Sequence, residues 1–127
     1  LKGDVMPVDS IKKNLVSNKK SSVFIRPVIP VCKVVASGND FFRIRRDMAA
    51  RTTDELMVEE AKRFFRKECF TTEQIRNLSS LFLTASGKYL LFEAAYMHVS
   101  DRDKFPDLQL ELRDDYYLKR FKTMVGE

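Results

Sequence analysis

Apolar residues recur every three or four positions from Ser37 to the end of the chain, which is the spacing of amphipathic helices. The first apolar stripe contains Phe41, Ile44 and Met48, with arginines between its members. The later stripes are Met57, Ala61, Phe64 and Phe65; Ile75, Leu78, Leu81 and Phe82; Leu91, Phe92, Ala95, Tyr96 and Val99; Leu108 and Leu112; and Leu118, Phe121 and Val125. The pattern predicts an all-α domain, a bundle of five or six short helices.

Polar residues in front of these stripes predict where the helices begin. Thr52 with Glu55, and Thr71 with Gln74, have the spacing of a capping box. The region from Thr84 to Lys88 is expected to break the chain between two helices. In the second helix the charged residues are expected to face outward: Glu59, Glu60, Lys62, Arg63, Arg66 and Lys67. The other expected caps are Ser37 or Asn39 at the first helix, Asp114 or Asp115 at the last, and Gly126 at its end.

The N-terminal part of the chain has no helical period. Residues 1–31 are predicted to be a basic linker or extended arm, and residues 32–127 the helical domain. The stretch from Ser22 to Val35 is rich in β-branched residues, but Pro27 and Pro30 interrupt it. Because proline cannot donate to a β-ladder, we expect an edge strand or a segment draped over the core, with the draped segment preferred. At 127 residues and 44% hydrophobic, the chain is sufficient for one core.

The net charge of +5 is concentrated at one end. Residues 1–37 contain seven of the 23 Lys and Arg residues and two of the 18 Asp and Glu residues, so they carry the whole excess. A domain that binds nucleic acid is expected to carry a basic face of its own. The distribution therefore argues against nucleic acid as the partner of the helical domain.

The residue sets of common catalytic and metal sites are missing from the sequence. His98 is the single histidine, and we expect it to be a packing or hydrogen-bonding residue and not a ligand. The stretch from Asp101 to Asp107 fails as a calcium loop, since Pro106 and Leu112 stand where glycine and glutamate are needed. We expect a solvated turn whose Asp and Ser cap the next helix. No glycine-rich nucleotide motif occurs, so the sequence predicts a non-enzyme without cofactor or metal.

Cys32 and Cys69 are the two cysteines, and they are too far apart for a CxxC motif. Cys32 ends the extended segment, and Cys69 lies at a corner between two predicted helices, within reach of it. A disulfide between them would stabilise the fold by roughly 3–4 kcal/mol in the chain-entropy model. Two buried thiols in a reducing compartment are the alternative.

Five residues are predicted to form a groove for a partner: Tyr89, Phe92, Tyr96, Asp101 and Phe105. Tyrosine and phenylalanine are common at interfaces, and here they are followed by a polar turn. Core residues with a hydroxyl at the edge are the other interpretation of the same aromatic positions.

The sequence resembles a bacterial family, the domain of unknown function numbered 4476. The resemblance covers about residues 32–125 and depends on Thr-Thr-Glu-Gln-Ile at 71–75, on Ala95-Tyr96, and on the Asp101 turn. It implies an all-helical module of secreted or envelope proteins, with no established activity and no catalytic residues. It also implies an oxidising compartment, which favours the Cys32–Cys69 disulfide.

These observations predict a non-enzymatic secreted or envelope module that mediates protein or peptide interaction. A second hypothesis is that the basic arm, through Lys12, Lys13, Lys19 and Lys20, tethers the domain to an anionic surface or nucleic acid. A third is an enzyme in which two carboxylates from different helices converge in a pocket. No apolar run reaches the length of a membrane span, and the first residues lack the apolar region of a signal peptide.

Overall fold

The computed structural model describes residues 32–127, which fold into five α-helices and two 3₁₀ helices. This confirms the predicted all-α class for the described residues, whereas the arm at 1–31 lies outside them. The elements in chain order are α1 (Gly38–Ala49), α2 (Asp54–Phe65), α3 (Thr72–Ser79), α4 (Ala85–Ala95), a short 3₁₀ helix (Tyr96–His98), a long 3₁₀ helix (Arg102–Glu111) and α5 (Asp115–Val125).

The largest fully buried side chains of the core are five phenylalanines, Phe70, Phe82, Phe92, Phe105 and Phe121. Helix α2 packs between α1 and α4, and α4 also contacts α3 and α5. Phe92 of α4, Phe105 of the long 3₁₀ helix and Phe121 of α5 form one ring cluster, with centroids 5.7 to 6.3 Å apart. Burying a side chain of this size contributes about 1.5–3 kcal/mol, so the cluster ties the C-terminal half together.

Side-chain caps start the helices close to the predicted positions. The predicted box of Thr71 and Gln74 is present at α3, and Ser37 forms a second box with Asp40 at α1. The predicted box of Thr52 and Glu55 is wrong by one residue, because Thr53 caps α2 and accepts a hydrogen bond from the Leu56 N–H. Asp114 caps α5, and Gly126 ends it with a left-handed φ of 88°.

The predicted break from Thr84 to Lys88 is shorter than expected. Thr84 caps α4, so the helix already begins at Ala85 and includes Gly87. Gly87 is buried against Asp54 and Phe82, and a Cβ there would overlap the Asp54 carboxylate. Glycine is therefore needed for the close approach of α4 to the start of α2, and it does not mark a helix end.

Glu60 was predicted to face outward and is buried instead, with 5% of its surface exposed. Its carboxylate accepts a hydrogen bond from Arg51 at 2.6 Å and a second one from Arg63. Arg51 lies between α1 and α2, so only the folded chain brings it to Glu60. A buried charge with two guanidinium partners is compensated, which explains why this position tolerates glutamate.

The corner at Cys69 and Phe70 is the middle of three extended segments that pair side by side. On one side, the Ala36 N–H donates to the Cys69 carbonyl and the Cys69 N–H donates to the Val34 carbonyl, both at 2.8 Å. On the other, the Phe70 N–H donates to the His98 carbonyl and the Ser100 N–H donates to the Phe70 carbonyl, both at 3.0 Å. The predicted extended segment therefore has a partner from Val34 onward.

A disulfide joins Cys32 to Cys69, with 5.9 Å between their Cα atoms. It ties the beginning of the described chain to the corner, next to the hydrogen bonds between Val34, Ala36 and Cys69. The corner thus holds together the entry of the domain, the end of α2 and the start of α3.

Asp101 caps a different helix from the one predicted. It makes no side-chain cap to the 3₁₀ helix that follows it, and its carboxylate accepts hydrogen bonds from Thr72 at the start of α3. The turn after α4 is therefore fastened to the corner, because the pairing of Phe70 with Ser100 brings Asp101 to the N–H groups of α3.

Candidate functional site

The five residues of the predicted groove do not share a surface. Phe92 and Phe105 are 0% exposed, and Tyr89 is also buried. Tyr96 and Asp101 are half-buried, and the carboxylate of Asp101 is directed to Thr72. The prediction of this groove is wrong for Phe92 and Phe105, because both rings pack into the phenylalanine cluster beneath α4.

Tyr89, although largely buried, lines clefts on a different surface, which is formed by α4 and α5. We call Tyr89, Tyr116, Tyr117 and Arg120 the tyrosine face. The Arg120 guanidinium lies 4.8 Å from the Tyr89 ring centroid and 5.7 Å from that of Tyr116. The Tyr117 ring packs against both other tyrosines, at 5.7 Å from Tyr89 and 4.9 Å from Tyr116. The rings of Tyr89 and Tyr116 therefore hold the planar guanidinium of Arg120 by cation–π contacts.

Two clefts open beside the tyrosine face. The first, of about 260 Å³, lies where α2, α4 and α5 meet, and we call it the three-helix cleft. The second, of about 420 Å³, runs along α5 and includes Lys119, Thr123 and Met124. The lining of the three-helix cleft is Asp54, Glu55, Ser86, Gly87, Tyr89, Leu90, Glu93, Tyr117 and Arg120.

The environment of Tyr89 is set by these neighbours. Burial raises the pKa of the Tyr89 hydroxyl, and the carboxylate of Glu93 raises it further. Arg120 opposes both effects. The hydroxyl therefore stays protonated at neutral pH and can act as a hydrogen-bond donor in the cleft.

A different surface carries the most exposed apolar residues of the domain. Leu83, in the connection between α3 and α4, is 96% exposed, and Leu110, near the end of the long 3₁₀ helix, is 74% exposed. Both line a cleft of about 400 Å³, together with Ala85, Lys88, Glu111 and Arg113. We call this the leucine cleft.

The charged side chains of the leucine cleft are only partly used within the domain. The Lys88 ammonium donates to the Ser79 carbonyl at 3.0 Å, and Glu111 lies 3.5 Å from the Arg76 guanidinium. Arg113 is exposed at the rim. Lys88 and Arg113 outweigh Glu111, so the cleft combines two apolar side chains with a small positive excess.

His98 is half-buried, and its ring stacks on Phe65 at a centroid distance of 5.9 Å. Burial lowers the pKa of His98, and the nearby Arg102 guanidinium lowers it further. The ring is therefore neutral at pH 7 and packs as a flat apolar group, in the role predicted for it.

Two carboxyl groups that are far apart in the sequence converge: that of Asp40 in α1 and that of Glu68, which follows the end of α2. Burial and a hydrogen bond with Asp40 raise the pKa of Glu68. Asp40 behaves in the opposite way, since the backbone N–H of Ser37 and the side chain of Glu68 lower its pKa. Asp40 is also bound by Arg43 at 2.7 Å. Its contacts are those of a helix cap at the surface.

Within residues 32–127, no three His, Cys, Asp or Glu side chains come together as metal ligands. In the same part of the chain, no helix is long and apolar enough to cross a membrane. The disulfide is compatible with an extracellular or periplasmic location. The chain matches no family model, no curated protein and no solved structure.

Proposed function

We propose that this domain is a non-enzymatic module of secreted or envelope proteins that binds a peptide segment of another protein through the leucine cleft. The observation that carries the proposal is that Leu83 and Leu110, both highly exposed, line the same cleft. Leucines scattered singly on a surface need no explanation, but two that line one cleft with charged neighbours are typical of interaction sites.

The chemistry of the leucine cleft indicates what kind of segment fits it. Two apolar side chains of the partner would cover Leu83 and Leu110. The burial of this apolar surface stabilises the complex by about 25 cal/mol per Å². Lys88 and Arg113 favour acidic residues beside these anchors. An amphipathic segment with apolar residues on one face and acidic residues at its edge has this composition.

The proposed secreted or envelope location is supported by the disulfide. The Cys32–Cys69 disulfide would persist in an oxidising environment. The resemblance to the domain of unknown function numbered 4476 points to the same environment. The resemblance assigns no catalytic residue to this chain.

Selection of peptides from a displayed random library against the full chain tests the proposal. We expect selected peptides to bind in solution by fluorescence anisotropy and to lose affinity about tenfold with Leu83→Asp or Leu110→Asp, as at an interface hot spot. Both leucines are exposed, so the variants should fold as the parent does. Unfolding curves check this.

Phe42→Asp is the matched control. Phe42 is 67% exposed on α1 and does not line the leucine cleft. Peptides that bind this variant and the parent equally, but bind Leu83→Asp poorly, support the proposal. Peptides whose affinity is unchanged by both leucine substitutions contradict it.

The basic N-terminal arm supplies a second candidate function, attachment to an anionic surface. It is favoured by the charge of the sequence, because residues 1–31 contain six Lys and Arg residues against two Asp. Binding to anionic lipid vesicles should then fall steeply as salt rises. Vesicle binding that survives deletion of residues 1–22 rules it out.

A further inference from the structure

We propose that the three-helix cleft binds the lysine segment of this same chain, residues 12–20. This inference concerns a different surface from the leucine cleft and does not depend on the peptide-binding proposal. The segment that would occupy the cleft is basic and contains Lys12, Lys13, Lys19 and Lys20. Three properties of the described domain support it.

The first is the aromatic surface beside the cleft. Tyr89 and Tyr116 already hold the guanidinium of Arg120 between them, at 4.8 and 5.7 Å. The ring of Tyr117 lines the adjoining cleft. A lysine ammonium that enters the cleft would lie beside the Tyr117 ring, and a contact between a cation and an aromatic ring gains strength when it is partly desolvated.

The second is charge complementarity. Asp54 and Glu55 at the start of α2, and Glu93 of α4, line the cleft against the single cation Arg120. Residues 38–127 have no net charge, whereas the whole positive excess lies in residues 1–37. The cleft is thus a local site of opposite sign for the segment that carries the charge.

The third is reach. The disulfide fixes Cys32 at the corner, beyond the C-terminal end of α2, and the cleft lies at the N-terminal end of the same helix. Twelve residues of α-helix are about 18 Å long. The twelve residues from Lys20 to Cys32 can span up to roughly 40 Å when extended. The lysine segment can therefore reach the cleft without strain, at the high effective concentration of a tethered ligand.

Zero-length carbodiimide cross-linking of the full chain tests the inference, because it joins lysines only to carboxylates in direct contact. We expect peptides that link Lys12, Lys13, Lys19 or Lys20 to Glu55 and Glu93, in the monomer band of the gel. These links should be about five times as abundant as links from the same lysines to Glu59, because a docked lysine spends more time at its site than a free one. High salt should abolish this enrichment.

Glu59 is the control carboxylate, since it is exposed on α2 and does not line the cleft. The variant Glu55→Gln/Glu93→Gln has no carboxylate to couple at these two positions, so its links to Glu59 give the background of a chain with a weakened cleft. Links distributed evenly over Glu59, Asp103 and Asp107, or links found only in a dimer band, overturn the inference. Because peptide binding at the leucine cleft is measured separately, either proposal can fail while the other stands.

Discussion

The carboxylate of Asp101 accepts two hydrogen bonds from Thr72, one from its backbone N–H at 2.7 Å and one from its hydroxyl at 2.9 Å. The two residues are 29 positions apart, and Thr72 is buried. A helix begins with N–H groups that lack partners and with a partial positive charge, so a carboxylate there is doubly favoured. Asp101 thereby fastens the turn after α4 to the start of α3.

Replacement of Asp101 by alanine should lower the free energy of unfolding by about 2 kcal/mol. The substitution leaves the buried Thr72 N–H and hydroxyl without their charged acceptor. Asp101→Asn should cost less, since the amide oxygen can still accept. Denaturant unfolding measures both, and Asp103→Ala, at an exposed position in the next turn, serves as the control with almost no expected change. Equal effects of the two alanine substitutions would contradict the role of Asp101.

Gly87→Ala should destabilise the domain, although alanine is the better helix former. The added Cβ would overlap the Asp54 carboxylate and lie 2.9 Å from Cδ2 of Phe82, which is buried and cannot move freely. Overpacking of this kind costs about 1–3 kcal/mol, whereas the better helix propensity of alanine contributes only about 1 kcal/mol.

Gly38→Ala is the matched variant for this prediction. A Cβ at Gly38 meets nothing within 4 Å, so alanine there should stabilise by about 0.4–1 kcal/mol. Thermal unfolding of the two variants under the same conditions gives shifts of opposite sign if the account is right. A stabilised Gly87→Ala variant would show that α4 can move away from α2.

Removal of the disulfide should lower stability by about 4 kcal/mol in the chain-entropy model, because the bond closes a loop with a sequence separation of 37. The variant Cys32→Ser/Cys69→Ser should unfold at a lower denaturant concentration than the oxidised chain. It should match the parent in the presence of a reductant. Free thiols in unreduced protein made in an oxidising compartment, detected by mass spectrometry, would contradict the pairing.

The domain should lose stability as the pH falls through about 6.5, owing to His98. Burial and Arg102 lower the pKa of His98 in the folded state. The unfolded chain therefore binds the proton more readily, and protonation favours unfolding between the usual pKa and the lowered one. His98→Gln should remove this part of the pH dependence. An identical slope in parent and variant between about pH 7 and 5.5 would assign the effect to other groups.

Local features of the sequence predicted much of the fold. The box of Thr71 and Gln74 needs only residues three apart, and the apolar spacing of Ile75 and Leu78 indicates the buried side of α3 directly. The shift from Thr52 to Thr53 at α2 shows the limit of such patterns, since adjacent threonines offer the same chemistry and the helix register decides between them.

Features that depend on distant partners could not be predicted in this way. Glu60 is buried because Arg51 and Arg63 meet it, and Asp101 caps α3 because Phe70 pairs with Ser100. Apolar spacing also placed Phe92 correctly on an inward stripe, yet this ring, like that of Phe105, was expected at a partner surface. Leu83 was not predicted as a surface residue of interest, because it lies in the connection after α3 and outside the apolar stripes, and its exposure is a property of the folded chain.

The most direct test of the leucine cleft as a peptide-binding site is an NMR titration of the full chain with a selected peptide. We expect the largest amide shift changes at Leu83, Ala85, Lys88 and Leu110, with the amides of the tyrosine face unaffected. Shift changes concentrated instead around Tyr89, Tyr117 and Arg120, with those of Leu83 and Leu110 unchanged, would contradict the account.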